Sequence, residues 1–168
     1  QSLGNLAGAR RAFEHALVIL QEAFGDSHPR VATGHNNLGT VLQDLGDLAG
    51  ARVAYEQALA IDEATFGPEN PSVARDLNTL GVLLWNLDDL AAARSAFERA
   101  LLIRDKALGR HHPDTAWSLG WLGILDAAYD DLPSACSRLQ EAVSILHDFL
   151  PADHPDIRRL EEKLACLA

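Results

Sequence analysis

The period of this chain constrains its fold more than any other feature. The stretch "FGDSHPRVA" at residues 24–32 returns as "FGPENPSVA" from Phe66, "LGRHHPDTA" from Leu108 and "LPADHPDIR" from Leu150. Gly25, Gly67, Gly109 and Pro151 therefore stand 42 residues apart with no insertion. A register kept without slippage is what stacked units require, because each must offer the same face to the next.

The step of 42 also relates Leu38, Leu80, Leu122 and Leu164, and it carries Gly39 to Gly81 and Gly123. In the second half of the unit Ala9, Ala51, Ala93 and Ala135 align, then Phe13, Tyr55, Phe97 and Leu139, then Ala16, Ala58, Ala100 and Ala142. Small residues recur where two helices must approach closely, and one large side chain recurs where the gap must be filled. Each unit reads as two helices. In "PRVATGHNNLGTVLQDL", Val31, Leu38, Val41, Leu42 and Leu45 keep the 3.6 period, and Gly46 stops the helix without strain. Asp47 then caps "LAGARVAYEQALAIDEATF". Equivalent turns are expected at "LGN" 3–5, "LDD" 87–89 and "YDD" 129–131, the last two with Asp in the glycine position. The predicted helices are 5–24, 29–45, 47–66, 71–87, 89–108, 113–129, 131–149 and 155–167.

The recurrent proline is preorganised for the first helical position, and it pushes the preceding residue out of the α region. That preceding residue is His28, Asn70, His112 and His154. Both residue types offer a side-chain acceptor to the free amides at a helix start. A shared zinc site does not fit: equivalent helices lie about 8–10 Å apart, whereas zinc needs nitrogens about 2 Å from one ion. These histidines are read as caps, with no metal and no cofactor assigned.

Composition narrows the class. Hydrophobic residues make up 48% and aromatics 6%, with β-branched runs nearly absent, which suits packed helices and not sheets. A net charge of −10 and scattered Lys and Arg argue against nucleic acid as a partner. No apolar run reaches the roughly 18 residues of a membrane span, so no membrane partner is expected. Two cysteines, Cys136 and Cys166, are too few for a disulfide framework and point to a reducing cytoplasm, as buried and inert thiols. Methionine is absent and the chain opens in mid-pattern, as a segment of a longer protein would. All but two of the 14 basic residues are Arg, a bias of GC-rich bacterial genomes.

The paired Leu-Gly of "NNLGTVL", "NTLGVLL" and "GWLGILD", followed by the "A…F…A" helix of "AGARVAYEQAL" and "AAARSAFERAL", resembles the tetratricopeptide repeat. With the 42-residue period and the "HP" linker it is most similar to the kinesin-light-chain type. The resemblance implies an all-α solenoid of antiparallel helix pairs forming a right-handed superhelical arch. On that reading residues 1–168 are a single array: a partial unit 1–24, repeats 25–66, 67–108 and 109–150, and a terminal helix 151–168. It further implies a non-catalytic module that binds a peptide or protein in its concave groove. In bacteria such arrays resemble the sensor regions of signalling ATPases; "GDLAGAR" is no phosphate loop, since it lacks the Gly-Lys-Ser/Thr ending.

In the family the first helix of each unit lines the groove. Carried onto this chain, that stripe is Thr33, Asn36, Asn37, Thr40 and Gln43, then Arg75, Asn78, Thr79, Val82 and Trp85, then Trp117, Gly120, Trp121 and Ile124. Asn36 and Asn78 either clasp a peptide backbone with their amides or bond neighbouring helices. Trp85, Trp117 and Trp121 either form an apolar face or pack between units. Arg75 either meets a partner carboxylate or pairs with Asp44 or Asp76. Two departures stand out in the third unit, Asp126 in place of Leu42 and Leu84, and Leu139 in place of the ring; looser or shifted packing is expected there. The alternative to partner binding is a structural scaffold in which open repeat ends or the aromatic patch associate with another copy. Catalysis is not expected, because no spacing brings a nucleophile, a base and an orienting acid together.

Overall fold

The structure is a computed structural model that describes the backbone of residues 2–167 and the side chains of residues 6–167. Among the described residues there are eight α-helices and no strand: α1 (Ser2–Phe24), α2 (Pro29–Asp44), α3 (Leu48–Phe66), α4 (Pro71–Asn86), α5 (Leu90–Leu108), α6 (Pro113–Ala128), α7 (Leu132–His147) and α8 (Pro155–Ala165). The predicted bounds hold to within three residues at every end. The chain divides into two compact units, Gln1–Ala93 and Arg94–Ala168. In the first, α2 packs against α1 and α3, and α3 against α4; in the second, α7 packs against α6 and α8.

Local chemistry sets the helix starts. The Nδ1 atoms of His28, His112 and His154 accept from the amides of Arg30, Asp114 and Asp156 at 3.1, 3.1 and 3.3 Å, and Asn70 Oδ1 accepts from Ser72 N at 2.9 Å. The residue before each proline is thus a cap that satisfies one of the orphan amides of the first turn. Asp47, Asp89 and Asp131 do the same for α3, α5 and α7 through the amides of Gly50, Ala92 and Ser134.

Between the paired helices the chain turns on one residue of positive φ, Gly46 at 81°, Asp88 at 61° and Asp130 at 58°. The amides of Leu45, Gly46 and Asp47 bond to the carbonyls of Val41, Gln43 and Leu42, which closes the turn. The turn expected at Leu3–Asn5 does not form, and α1 runs through those positions. Capping by Asn5 lies outside the described side chains, as do Gln1 and Ala168 altogether.

The paired helices approach through glycine. A Cβ on Gly39 would lie 2.5 Å from the Tyr55 ring, and one on Gly123 would lie 2.8 Å from Leu139 Cγ. The missing side chain is the socket into which the large residue of the partner helix seats. Around it the alanine columns close from α3 onward: Ala51, Ala58, Ala93, Ala100, Ala135 and Ala142 are all fully buried, whereas Ala9 is half-buried and Ala16 exposed on α1. Tyr55, Phe97 and Leu139 are buried beside them, each worth roughly 1.5–3 kcal/mol relative to exposure.

The third repeat is not loose. Leu139 is fully buried in the socket of Gly123. Asp126 is 1% exposed, and it is held by Arg138 at 2.7 Å and Arg94 at 2.9 Å. Arg94 also lies over the Tyr129 ring, 5.0 Å from its centroid. Two guanidinium groups offset the desolvation that an unpaired carboxylate would suffer, so the acid substitutes for leucine without opening a void. The thiols correct the sequence reading: Cys166 is exposed and Cys136, on α7, is half-buried.

Gly39→Ala should therefore destabilise the chain by about 1–3 kcal/mol in a denaturant titration, although alanine is the better helix former. Asp88→Gly should do the opposite and stabilise by about 1 kcal/mol, since it removes a Cβ from the left-handed conformation. An unchanged midpoint for either variant would contradict the packing and turn geometry described.

Candidate functional site

In the first unit the polar residues of α2 and α4 converge on a cleft of about 270 Å³ lined by Thr33, Asn36, Asn37, Thr40, Tyr55, Arg75 and Thr79. The heptad-like spacing of α2 places Thr33, Asn36, Asn37 and Thr40 on one helical face, and the 42-residue register places Arg75 and Thr79 beside them from α4. Thr40 Oγ1 and Gln43 Oε1 lie 3.2 and 3.3 Å from the Tyr55 hydroxyl, which fixes that ring at the wall. Burial pushes the Tyr55 phenol up, so it stays protonated.

Behind Asn36 and Arg75 lie two buried carboxyls. Asn36 Nδ2 donates to Asp76 Oδ1 at 2.9 Å, while Arg75 Nη2 reaches Asp76 Oδ1 at 3.1 Å and Asp62 Oδ2 at 3.2 Å. Asp62 and Asp76 are 2% and 1% exposed, whereas the Arg75 side chain is 57% exposed. Burial raises Asp62 to about 6 from the ordinary value of 3.8, helped by the neighbouring Asp76 carboxyl and opposed by Arg75.

Of the predicted site residues, Asn36, Asn37 and Arg75 thus line one cleft. Asn37 is exposed, but Asn36 and Arg75 are engaged inside the unit, both with Asp76. Gln43 is turned to Tyr55; Asn78 and Trp85 are half-buried on α4. In the second unit Trp117 and Trp121 lie one turn apart on α6 and are both half-buried. The Trp121 ring stacks on Phe97 at 5.5 Å between centroids and 4° between planes, and Arg159 lies over it at 4.9 Å. Trp121 is thereby fixed by its own unit, while Gly120 beside it receives Leu160 at 3.1 Å from where its Cβ would be.

Asp62 was missed on the sequence, although a signal for it exists. The column at steps of 42 reads Leu20, Asp62, Arg104, Leu146, and the column it faces reads Gly34, Asp76, Ser118, Leu160. Leu20 meets Gly34, and Arg104 donates to Ser118 Oγ at 3.0 Å and to the Asp114 carbonyl at 2.8 Å. An inter-repeat contact that is apolar at one end of the series is polar in the middle. Elsewhere, among the described residues no three His, Cys, Asp or Glu side chains group as metal ligands. No helix among them is long and apolar enough to cross a membrane.

The raised Asp62 carboxyl sets a sign for pH. The folded state holds the proton up to about pH 6 and the unfolded chain only to about 3.8, so folded protein binds more protons in between. Stability then falls as pH rises through that window and is flat above it. Asp62→Asn should remove this dependence, stabilising the chain at pH 8 by on the order of 1–3 kcal/mol relative to its effect at pH 4. Urea titrations of both proteins at the two pH values measure it, and parallel pH profiles would refute the assignment.

Comparison with known proteins agrees with the helix pairing. The chain matches the tetratricopeptide repeat over residues 1–64, 30–101 and 72–148. Among solved structures it is similar to BtubC (BKLC) from P. vanneervenii, with a TM-score of 0.86 and 21% identity, covering 99% of this chain and 66% of that one. It thus spans just under two thirds of that protein. It is similar also to the nearly identical TPR-like repeats of a Podosopora anserina kinesin light chain, with a TM-score of 0.78 and 23% identity, covering 98% of this chain and 78% of that one. At these identities the likeness concerns the fold. No curated protein matches the sequence. The chain belongs to the tetratricopeptide repeat family.

Proposed function

We propose that this chain is a non-catalytic, cytoplasmic interaction module that takes an extended peptide or protein segment against the first helices of its repeats, as the sensing part of a larger signalling ATPase. Tetratricopeptide repeats are in general protein–protein interaction or scaffold modules. The observation that carries the reading here is the cleft of the first unit. Asn37 lines it with an amide that can pair with peptide N–H and C=O, and Thr33 and Thr79, which donate back to the Pro29 and Arg75 carbonyls, offer lone pairs to peptide N–H, over a wall fixed by Tyr55. In this proposal Asn37 leads the polar contacts, with Gln43, Arg75 and Asn78 on the same two helices, while Asn36 acts from behind through its bond to Asp76. Trp85 belongs to the same unit, and Trp117 offers a half-buried aromatic edge in the other.

Charge limits the ligand. Arg75 is already opposed by two carboxyls, so the cleft carries no surplus positive charge to draw an acidic segment. A neutral or polar backbone-led ligand suits it better. The alternative is a scaffold role through self-association, for which exposed apolar side chains such as Val18, Ile19 and Leu102 are available.

A random peptide library displayed on phage and panned on the chain tests the reading. The expected outcome is an enriched peptide whose affinity falls at least tenfold, about 1.4 kcal/mol, with Asn37→Arg, which fills the cleft. Failure to enrich any peptide, with mass rising with concentration in the free chain, would transfer the function to self-association.

A further inference from the structure

We propose that proton exchange at the Asp62–Asp76 pair sets how tightly Arg75 is held at the mouth of the first unit's cleft, so that acid frees this cation and base pins it. The proposal gives a regulation to the cleft read above as a partner site, and depends on that reading only for its consequence.

Three observations converge. First, the two carboxyls are almost completely buried, and one exposed guanidinium bridges them at 3.2 and 3.1 Å. Second, Asp62 Oδ1, Asp76 Oδ2 and Asn36 Oδ1 are buried acceptors that receive no hydrogen bond from the chain. A carboxyl oxygen buried without a donor from the chain favours the protonated form, so the pair that shares the Arg75 guanidinium is a place where a proton is retained. Third, the fold does not require acids here. The equivalent contacts are Leu20 against Gly34 in the preceding repeat step and, further along, Arg104 against Ser118.

The charge balance fixes the direction. The groups whose charge acts on Asp62 are Asp76 and Arg75 of α4; α2 faces the pair with the neutral Asn36 amide. His35, also on α2, lines a different cleft with Asp26, Gln57 and Ile61, and burial holds its imidazole below the usual range. With one proton on the pair, Arg75 faces a single negative charge. When the Asp62 proton leaves to solvent, it faces two, and its ion pair tightens. Asp62 is raised to about 6, which places the transition in a range that small shifts in acidity cross.

The test needs no partner, so its failure is separate from a failure of the binding reading. Side-chain carboxyl carbons of the isotope-labelled whole chain are followed by NMR from pH 4 to 8, together with the order parameter of Arg75 Nε. The expected result is one aspartate titrating near pH 6, absent in Asp62→Asn, with the Arg75 order parameter rising across the same midpoint. Arg75→Gln, on an exposed side chain, keeps the test open if the Asp62 variant misfolds, and should move the midpoint upward by about one unit. Asp62 titrating below pH 5, a flat Arg75 order parameter, or a midpoint unmoved by Arg75→Gln would each overturn the proposal.

Discussion

Everything in this chain depends on how closely two antiparallel helices approach. At Gly39 and Gly123 the absent Cβ leaves a socket, and Tyr55 and Leu139 fill it. That seat fixes the rotation of each helix about its axis, which decides the residues that face inward. The fully buried alanines 51, 58, 135 and 142 follow, because only a methyl fits between backbones at that distance. The polar faces of α2 and α4 are then turned outward together, and the cleft at Asn37 and Thr79 exists because of it.

Against this regular packing, the polar intrusions carry information. A buried ion pair adds little net stability over apolar packing of the same shape. The chain nevertheless places Asp62, Asp76, Arg104 and Asp126 in positions nine-tenths or more buried. Asp126 is neutralised twice over, by Arg94 and Arg138, and behaves as a closed structural unit. Arg104 spends its donors on a carbonyl and a hydroxyl. Asp62 and Asp76 differ, for they leave acceptors unmet directly behind a functional-looking cleft. The same contact satisfied in one place and left open in another is where chemistry beyond packing belongs.

Much of the fold was legible in the residues because its determinants are local. Proline with His or Asn before it starts α2, α4, α6 and α8, and aspartate caps three of the helices between them. These signals act within a few residues, so the helix bounds followed from reading along the chain. At Leu3–Asn5 the expected turn is replaced by the continuous helix α1. The site was legible only in part. The register put Asn36, Asn37 and Arg75 on one stripe, but the length of the stripe says nothing about where each side chain bonds.

The sequence by itself determined the period, the helices, their caps and the columns of small and large residues, since these rest on backbone preferences and a regular spacing. Only the tertiary structure decided that Asn36 donates to Asp76, that Trp121 lies on Phe97, and that two acids meet behind Arg75. Those contacts join residues on different helices, where side-chain reach and burial choose among several partners that a linear pattern leaves equivalent.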